Sequence, residues 1–330
     1  MNDRTNEAVI DIFPTRIATC TADFDACRGP LLEAARIFLE SHLKRISLIN
    51  DQGGSGREVV QELTATFDQL NDNLYKAVSA DLRPEEVAGC ALLGLGGYGR
   101  GEMNPRSDLD LMFFYEPSGK AAARIISDRM LYLLWDLSLD VGYSVRSSKD
   151  CLEESKDSTV RTSLLDARFI SGNPDLFELF AHTVGNIVLT QDTQSFIDLK
   201  LEERSERKKK YGSSVYLLEP NLKEGEGGLR ELQDALWIAR VKFKVSGVRE
   251  LLIKGVVNEQ EADEYLHAQD YLWKIRNFLH FSGQRKSDQL TFELQQKIAD
   301  FLGYKKDPSG SAVEKFMQDY YAQAIRIEHL

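Results

Sequence analysis

The chain has 330 residues, of which 42% are hydrophobic and 28% are charged, a composition that excludes wholesale disorder. Because one hydrophobic core rarely serves so long a chain, two or three packed subdomains are expected. Asp and Glu number 52 against 41 Lys and Arg, so the formal net charge is −11. Since phosphate neutralisation needs surplus cations, this charge argues against the binding of long nucleic acids.

The cysteines are scattered along the chain, with no Cys-x-x-Cys pair and no histidine at metal-binding spacing: Cys20, Cys27, Cys90 and Cys151. This usage suits a reducing cytoplasm and indicates neither a disulfide framework nor a zinc site. No apolar run approaches the ~20 residues that cross a bilayer, and the first residues lack a signal-peptide core. The sequence therefore predicts a cytoplasmic protein without a membrane partner.

Helical patterning dominates the first part of the chain. In residues 30–48 and 60–77, apolar side chains recur every three or four positions, which places them on one face of a helix. Between these stretches lies NDQGGSG, residues 50–56, whose composition breaks helices and predicts a loop.

Short apolar runs then replace the helical pattern. VAGCALLGLGG (87–97) and LDLMFFY (109–115) are apolar runs with the length and flanking turn residues of buried strands, and VGYSVRS (141–147) has the length and residue types of a third strand. Residues 121–139 between the second and third runs return to helical spacing. From about residue 150 the pattern is helical to the end, with an interruption at 217–230.

This order predicts an α+β fold in which a small mixed β-sheet is flanked by helical regions. The predicted division is a helical amino-terminal region at 1–85, a sheet core at 86–150 and a helical domain at 151–330. The tryptophans fall on helical apolar faces and are predicted to be core residues: Trp135, Trp237 and Trp273.

The most informative segment is GLGGYGRGEMNPRSDLDLMFFY, residues 94–115. Its first glycines match the G-x-G-x-x-G dinucleotide fingerprint, which is weak evidence alone. Only nine residues separate Gly99 from the strand at Leu109, and they include Asn104 and Pro105, so the required crossover helix does not fit. The absence of a following GKS or GKT also excludes a P-loop.

Asp108 and Asp110 are two positions apart at the start of a predicted strand, so both carboxylates should point to one face. Adjacent carboxylates repel each other unless a cation lies between them, which favours a Mg²⁺ site. The neighbouring glycine turn would let the main chain approach a triphosphate closely. Asp108 alone could equally be a turn residue, but the combination with the glycine pair indicates nucleotide chemistry.

The segment GGYGRGEMNPRSDLDL resembles the nucleotidyltransferase signature of the DNA polymerase β-like superfamily. In particular, it is similar to the amino-terminal domain of the bifunctional PII uridylyltransferase/uridylyl-removing enzymes. The stretches 141–154, 217–240 and 271–304 carry the same resemblance, and KEGEGGLRELQ within the second is its most specific motif. Residues 1–85 match only as the helical region that the family usually carries there.

The resemblance implies transfer of UMP from UTP to a tyrosine hydroxyl of the PII signalling protein, with pyrophosphate leaving. Two Mg²⁺ ions are the expected cofactor. Gly96 and Gly97 match the glycine pair of the family motif, and Asp108 and Asp110 match its metal-binding carboxylates. Ser107, directly before Asp108, is a further nucleotide-binding candidate.

Many superfamily members add a third carboxylate that acts as a base on the incoming hydroxyl, and its identity here is open. Asp140, just before the third predicted strand, is the first choice, and Asp166 is the second. Either residue could instead be a solvated or helix-capping carboxylate.

Three cations are candidate phosphate ligands. Lys223 and Arg230 surround a glycine-rich turn that opens a helix, and helix amino termini with nearby cations bind anions. Arg230 could instead pair with Glu224 or Glu231. Arg100, inside the glycine loop, is either a phosphate ligand or a tether for Glu102.

The family enzymes continue into an HD-type hydrolase and ligand-sensing domains, whereas this chain contains no His-Asp dipeptide. We therefore expect an amino-terminal portion of a longer protein, truncated before the hydrolase, or a shortened relative. Neither uridylyl removal nor glutamine sensing is expected of it.

Two alternatives to uridylyl transfer remain open. Another nucleotidyltransferase, such as an adenylyltransferase that modifies a protein or a small molecule, would share the metal motif. The chain could also be a regulatory module that binds nucleotide without turnover. RNA-directed members of the superfamily are disfavoured by the acidic charge.

Overall fold

The computed structural model describes residues 24–283, 286–308 and 310–329. The start of the predicted helical region, residues 1–23 with Cys20, lies outside the described residues. Two compact units alternate along the chain. The first takes the described residues up to Ser47, together with Gln61–Met103 and Ser107–Val188. The second takes Leu48–Val60, Asn104–Arg106 and the described residues from Leu189 onward.

The first unit contains a four-stranded mixed sheet, as the sequence predicts. Its strands are β1 (Cys90–Gly94), β2 (Leu109–Tyr115), β3 (Val141–Ser147) and β4 (Arg168–Gly172), in the order β3-β2-β1-β4. β1 is antiparallel to both β2 and β4, whereas β2 and β3 are parallel. β1, β2 and β3 lie within the three segments that the sequence predicts to be strands, and β4 is a fourth strand that the sequence pattern did not reveal.

Helices make up most of the remaining described residues. Up to Thr190 they are α1 (Phe24–Asp51), α2 (Gly56–Ser79), α3 (Pro84–Val87), α4 (Gly96–Gly99), α5 (Lys120–Asp136), α6 (Ser148–Glu154), α7 (Ser158–Leu165), α8 (Pro174–Phe180) and α9 (Asn186–Thr190). From Thr193 they are α10 (Thr193–Tyr211), α11 (Leu229–Phe243), α12 (Val248–Ile253), α13 (Glu259–Ser282), α14 (Phe292–Phe301) and α15 (Ala312–His329). None of the described helices is long and apolar enough to cross a membrane.

Local sequence explains several helix boundaries. The apolar stripe predicted for 60–77 is the buried face of α2. The predicted 50–56 loop is shorter in the structure, because α1 continues to Asp51 and α2 begins at Gly56. α6 begins with a capping box in which Ser147 and Asp150 satisfy each other's backbone amides. Asn258 and Glu261 form the same motif at the start of α13.

The core of the first unit lies at the sheet. Every residue of β1 is buried, which explains why its sequence is a continuous apolar run rather than an alternating one. The three described cysteines are free thiols, and Cys90 and Cys151 are buried. Burial raises the pKa of both buried thiols to about 12, so neither is a thiolate at neutral pH.

The second unit has a separate helical core. Residues of α11, α13, α14 and α15 pack together around fully buried side chains such as Leu272, Phe316 and Tyr320. Trp237 and Trp273 are buried, as predicted. The prediction for Trp135 is wrong, because the buried face of α5 is formed by Ile126, Met130 and neighbouring residues, whereas Trp135 lies on the exposed face.

Candidate active site

Asp110, the second residue of β2, lies between two glycines. A Cβ atom on Gly96 would lie 2.9 Å from its Oδ2 atom, and a Cβ on Gly142 would lie 2.6 Å from its Oδ1 atom. Gly142 is the partner of Asp110 in the parallel register of β2 and β3. The carboxylate therefore occupies space that any other residue at 96 or 142 would fill. Gly142 was not identified from the sequence, because its role depends on strand register.

The glycine turn follows β1 directly. The Leu95 amide donates to the Asp110 carbonyl (2.8 Å), and Gly96, the first residue of the single turn α4, adopts a left-handed φ of 52°. Around Gly97, in contrast, no atom lies closer than 3.8 Å to where a Cβ would be. The protein's own packing thus does not require glycine at 97, whereas close approach of a ligand would.

Asp108, Ser107 and Asp140 lie at the same end of the sheet as Asp110. Leu109 pairs with Val141 in the parallel register, so Asp108 and Asp140 are each one residue before the first paired positions. The Leu109 amide donates to the Asp140 carbonyl (2.9 Å). Asp108 and Asp140 are exposed and Ser107 is half-buried. Asp108, Asp110 and Asp140 therefore lie at one end of the sheet in the first unit.

Asp166, the second choice for a third carboxylate, is in a different environment. It is buried and accepts a hydrogen bond from Arg100, whose Nε also donates to Glu102 (2.8 Å). The tether between Arg100 and Glu102 considered from the sequence is therefore present. Asp166 is thus held by a buried guanidinium, whereas Asp140 is exposed.

The residues present fit a magnesium ion. Within the described parts of the chain, no group of three or more His, Cys, Asp or Glu residues is close enough together to hold a metal. Mg²⁺ commonly uses only one or two carboxylates, with water and substrate phosphates completing its shell. Asp108 and Asp110, two positions apart at the start of β2, could supply such a pair of carboxylates.

Lys223 and Arg230 lie in the second unit, Lys223 in the turn before α11 and Arg230 in the first turn of that helix. Arg230 pairs with Glu224 (3.2 Å) and donates to Gln233 (3.0 Å), so the ion pair considered from the sequence is present. Burial lowers the pKa of Lys223 to about 8, with further contributions from Arg230 and Arg276. Lys223 is therefore a cation in a locally positive environment.

The glycines of this turn are required by packing. A Cβ on Gly225 would lie 2.6 Å from the Asn221 carbonyl, and one on Gly228 would lie 2.8 Å from the Gly225 carbonyl. Gly227 has a φ of 71° and no room beside Ala324. These contacts explain the glycine content of KEGEGG without a ligand.

A buried polar cluster, also in the second unit, was missed by sequence reasoning. Asp288 accepts hydrogen bonds from Arg276 Nε (2.8 Å) and makes a 2.9 Å contact with His280 Nε2. Arg276 also donates to Asn104, which donates to Asn277 (2.6 Å). The cluster therefore anchors the stretch Asn104–Arg106, which ends two residues before Asp108. Arg276 and Asn104 are hydrogen-bonded although 172 positions separate them in the sequence, so no local sequence pattern could reveal the cluster.

The positive and negative groups of this cluster stabilise the charge of Asp288. Although burial alone would raise it, His280 and Arg276 hold the pKa of Asp288 well below its usual value. The Asp288 carbonyl also accepts from the Leu222 amide (2.8 Å), beside Lys223. Asp288 thus connects the 104–106 stretch to the KEGEGGLR turn within the second unit.

Comparison with known proteins gives two family-level matches. A family model described as GlnD PII-uridylyltransferase matches residues 195–330. One described as glutamate-ammonia ligase adenylyltransferase matches residues 11–134, which include the glycine turn and both aspartates.

Three relatives, each named bifunctional uridylyltransferase/uridylyl-removing enzyme, align over most of the chain. The Cereibacter sphaeroides protein is 42% identical over 75% of the chain. The Azospirillum brasilense protein is 40% identical over 91%, and the Bradyrhizobium diazoefficiens protein is 34% identical over 93%. The chain belongs to the PII-uridylyltransferase family. The resemblance recognised in the sequence is thereby confirmed.

The chain spans only 27% to 33% of the length of these three PII-uridylyltransferase relatives. Their names combine uridylyl transfer with uridylyl removal. The KEGEGGLRELQ motif lies inside the region that the PII-uridylyltransferase family model matches, whereas Asp108 and Asp110 lie before that region.

Proposed function

We propose that this chain transfers UMP from UTP to a tyrosine hydroxyl of a PII signalling protein, releasing pyrophosphate, in the regulation of nitrogen metabolism. The observation that carries the chemistry is the Asp110 carboxylate between Gly96 and Gly142, at the sheet end that also presents Asp108. The choice of substrate is supported by the names of the relatives and of the family model. Cytoplasmic location is part of the same proposal.

In this proposal Asp108 and Asp110 hold Mg²⁺, which would neutralise charge on the triphosphate. Gly96 and Gly97 let the main chain approach the phosphates, with Ser107 beside them. Asp140 accepts the tyrosine proton as the hydroxyl oxygen bonds to the α-phosphorus and the bond to pyrophosphate breaks. Lys223 and Arg230 are the cations proposed for phosphate contacts, whereas the Arg100 guanidinium is already held by Glu102 and Asp166.

A transfer assay tests the proposal. The chain is incubated with Mg²⁺, purified PII protein and, separately, α-labelled UTP, ATP, CTP or GTP. We expect label on PII from UTP and its loss when the acceptor tyrosine is changed to phenylalanine. Nucleotide binding without transfer to PII would contradict the proposal and favour a regulatory module.

Adenylyl transfer is the second candidate, because the adenylyltransferase family model covers the glycine turn and both aspartates. The same assay separates the two, since label would then arrive from ATP. Base selectivity can depend on backbone groups, so residues that bind the phosphates do not decide it.

Substitution of two glycines should separate catalysis from folding. We expect Gly142→Ala to lower transfer about 10²-fold, because its Cβ would lie 2.6 Å from Asp110 Oδ1 and displace the carboxylate. Gly97→Ala should leave thermal unfolding unchanged but weaken UTP binding, since only a ligand approaches this position closely. Gly247→Ala, with no atom within 4 Å, is the control for both. Wild-type UTP affinity in Gly97→Ala would exclude a phosphate contact at that glycine.

The low pKa of Lys223 predicts a pH dependence. Because Lys223 loses its charge above pH about 8, UTP affinity should fall up to about tenfold between pH 7 and 9 if Lys223 contacts phosphate. Lys223→Arg keeps its charge and should show a flat profile over this range. Calorimetric titration of UTP at pH 7, 8 and 9 measures both, and identical profiles would remove Lys223 from the nucleotide site.

A further inference from the structure

An exposed row of aromatic side chains lies on the first unit. Tyr132, Trp135 and Tyr143, here called the aromatic ladder, are 56%, 46% and 52% exposed. Their rings meet edge to face, with centroids 6.0 Å apart for Tyr132 and Trp135 and 6.3 Å apart for Trp135 and Tyr143. Arg28 lies 5.8 Å from the Tyr132 ring. Tyr, Trp and Arg are the residue types that dominate binding energy at protein interfaces.

The ladder adjoins an open sheet edge. β3 is the terminal strand of the order β3-β2-β1-β4, and its only strand partner in the described part of the chain is β2. The Asp140 carbonyl accepts from the Leu109 amide, so alternate residues from Asp140 direct their backbone groups to β2. Val141, Tyr143 and Val145 direct theirs outward. Outward amides and carbonyls on an edge strand can pair with another chain.

The same edge reaches the proposed catalytic carboxylate. Gly142 faces Asp110 on one side of the sheet. Because side chains alternate along a strand, Tyr143 projects to the other side, where it meets Trp135 of α5. The Asp110 carboxylate of β2 therefore lies against one side of this short stretch of β3, and the aromatic ladder lies on the other side.

We propose that the outer edge of β3 binds the tyrosine-bearing segment of the protein acceptor as an added fifth strand. This inference rests on the proposed function, in which a protein tyrosine must reach the nucleotide at Asp110. In an extended segment, neighbouring residues face opposite sides of the sheet. The acceptor tyrosine then lies on the Asp110 side, and an apolar or aromatic neighbour one residue away packs on the ladder.

This arrangement divides recognition between backbone and side chains. Pairing with Val141, Tyr143 and Val145 supplies main-chain hydrogen bonds that hold the segment straight, and the ladder selects its sequence. A folded helix could not offer both. The partner that fits this surface is therefore a flexible loop with a tyrosine next to an apolar residue.

Steady-state kinetics with UTP and PII protein test the proposal with two variants. Trp135→Ala removes the centre of the ladder. Val145→Pro removes an outward amide, a position where an edge strand tolerates proline. We expect each to raise the KM for PII about tenfold or more while the Kd for UTP stays unchanged. Phe292→Ala, at a 60% exposed aromatic of the second unit, is the control and should leave both constants at wild-type values.

Hydrogen exchange on the wild-type chain supplies an independent measurement. The amides of Val141, Tyr143 and Val145 should become protected when PII and UTP are added. Because this measurement uses the wild-type chain, it tests the proposal even if Val145→Pro fails to fold. Absence of this protection, or an unchanged KM in a folded Val145→Pro variant, would overturn the proposal. Protection without PII, together with a doubled mass in sedimentation, would overturn it in favour of pairing between two copies of the chain. Failure of the wild-type chain to label PII would instead contradict the proposed function itself.

Discussion

Replacing Asp110 with Ala should lower uridylyl transfer by about 10³-fold while leaving the fold intact. The carboxylate is the group around which Gly96 and Gly142 leave space, and transition-state charge in phosphoryl transfer is stabilised mainly by metals and positioned charges. If the Asp110 carboxylate repels that of Asp108, as their spacing predicts, the substitution should cost little thermal stability. Asp108→Ala should behave in the same way.

The measurement is single-turnover transfer from UTP to PII at saturating Mg²⁺, with thermal unfolding followed in parallel. Asp128→Ala, at an exposed aspartate of α5, is the matched control and should retain wild-type rates. If Asp110→Ala turned over normally, the catalytic carboxylates would lie elsewhere in the chain.

Arg276→Ala should lower the free energy of unfolding by about 3–5 kcal/mol, the typical loss when one partner of a buried ion pair is removed. The side chains of Arg276 and Asp288 are only 8% and 12% exposed. After the substitution, the Asp288 carboxylate loses its contact with Arg276 and keeps its contact with His280. It also deletes the bond to Asn104 that anchors the stretch before Asp108.

Chemical denaturation of the whole chain measures this loss. The control is Lys297→Ala, which breaks an exposed ion pair with Glu293 and should change stability by about 0.5 kcal/mol or less. Equal effects of the two substitutions would show that the buried cluster contributes no more than a surface pair.

Local sequence was sufficient for features that local physics determines. The strands 109–115 and 141–147 were predicted with the observed bounds, because the first is an apolar run between turn residues and the second has the length and residue types of a strand. The glycine turn was predicted from the run of glycines that follows the first strand. The pairing of Asp108 with Asp110 as metal ligands stays a prediction. The family resemblance then came from motifs that are short and contiguous.

Features that depend on register or on distant contacts were not predicted. Gly142 acquires its role only when β3 lies parallel to β2 with Asp110 opposite it. β4 is a five-residue strand within a helical stretch, and its pairing with β1 is what distinguishes it. Asn104 contacts residues of α13 more than 170 positions away, a distance that helical periodicity cannot bridge. Trp135 was misplaced because its helix has a second, exposed aromatic face.

The two buried thiols allow the opening of the first unit to be timed. Cys90 lies in β1 and Cys151 in α6, and burial keeps both protonated at neutral pH. An alkylating reagent can reach them only when the surrounding structure opens, so the rate of modification reports the opening rate or its equilibrium constant. Mass spectrometry resolves the two sites, and equal rates would indicate that strand and helix separate in one cooperative event. Protection on addition of UTP would then give the nucleotide's stabilising free energy for this unit without any substitution.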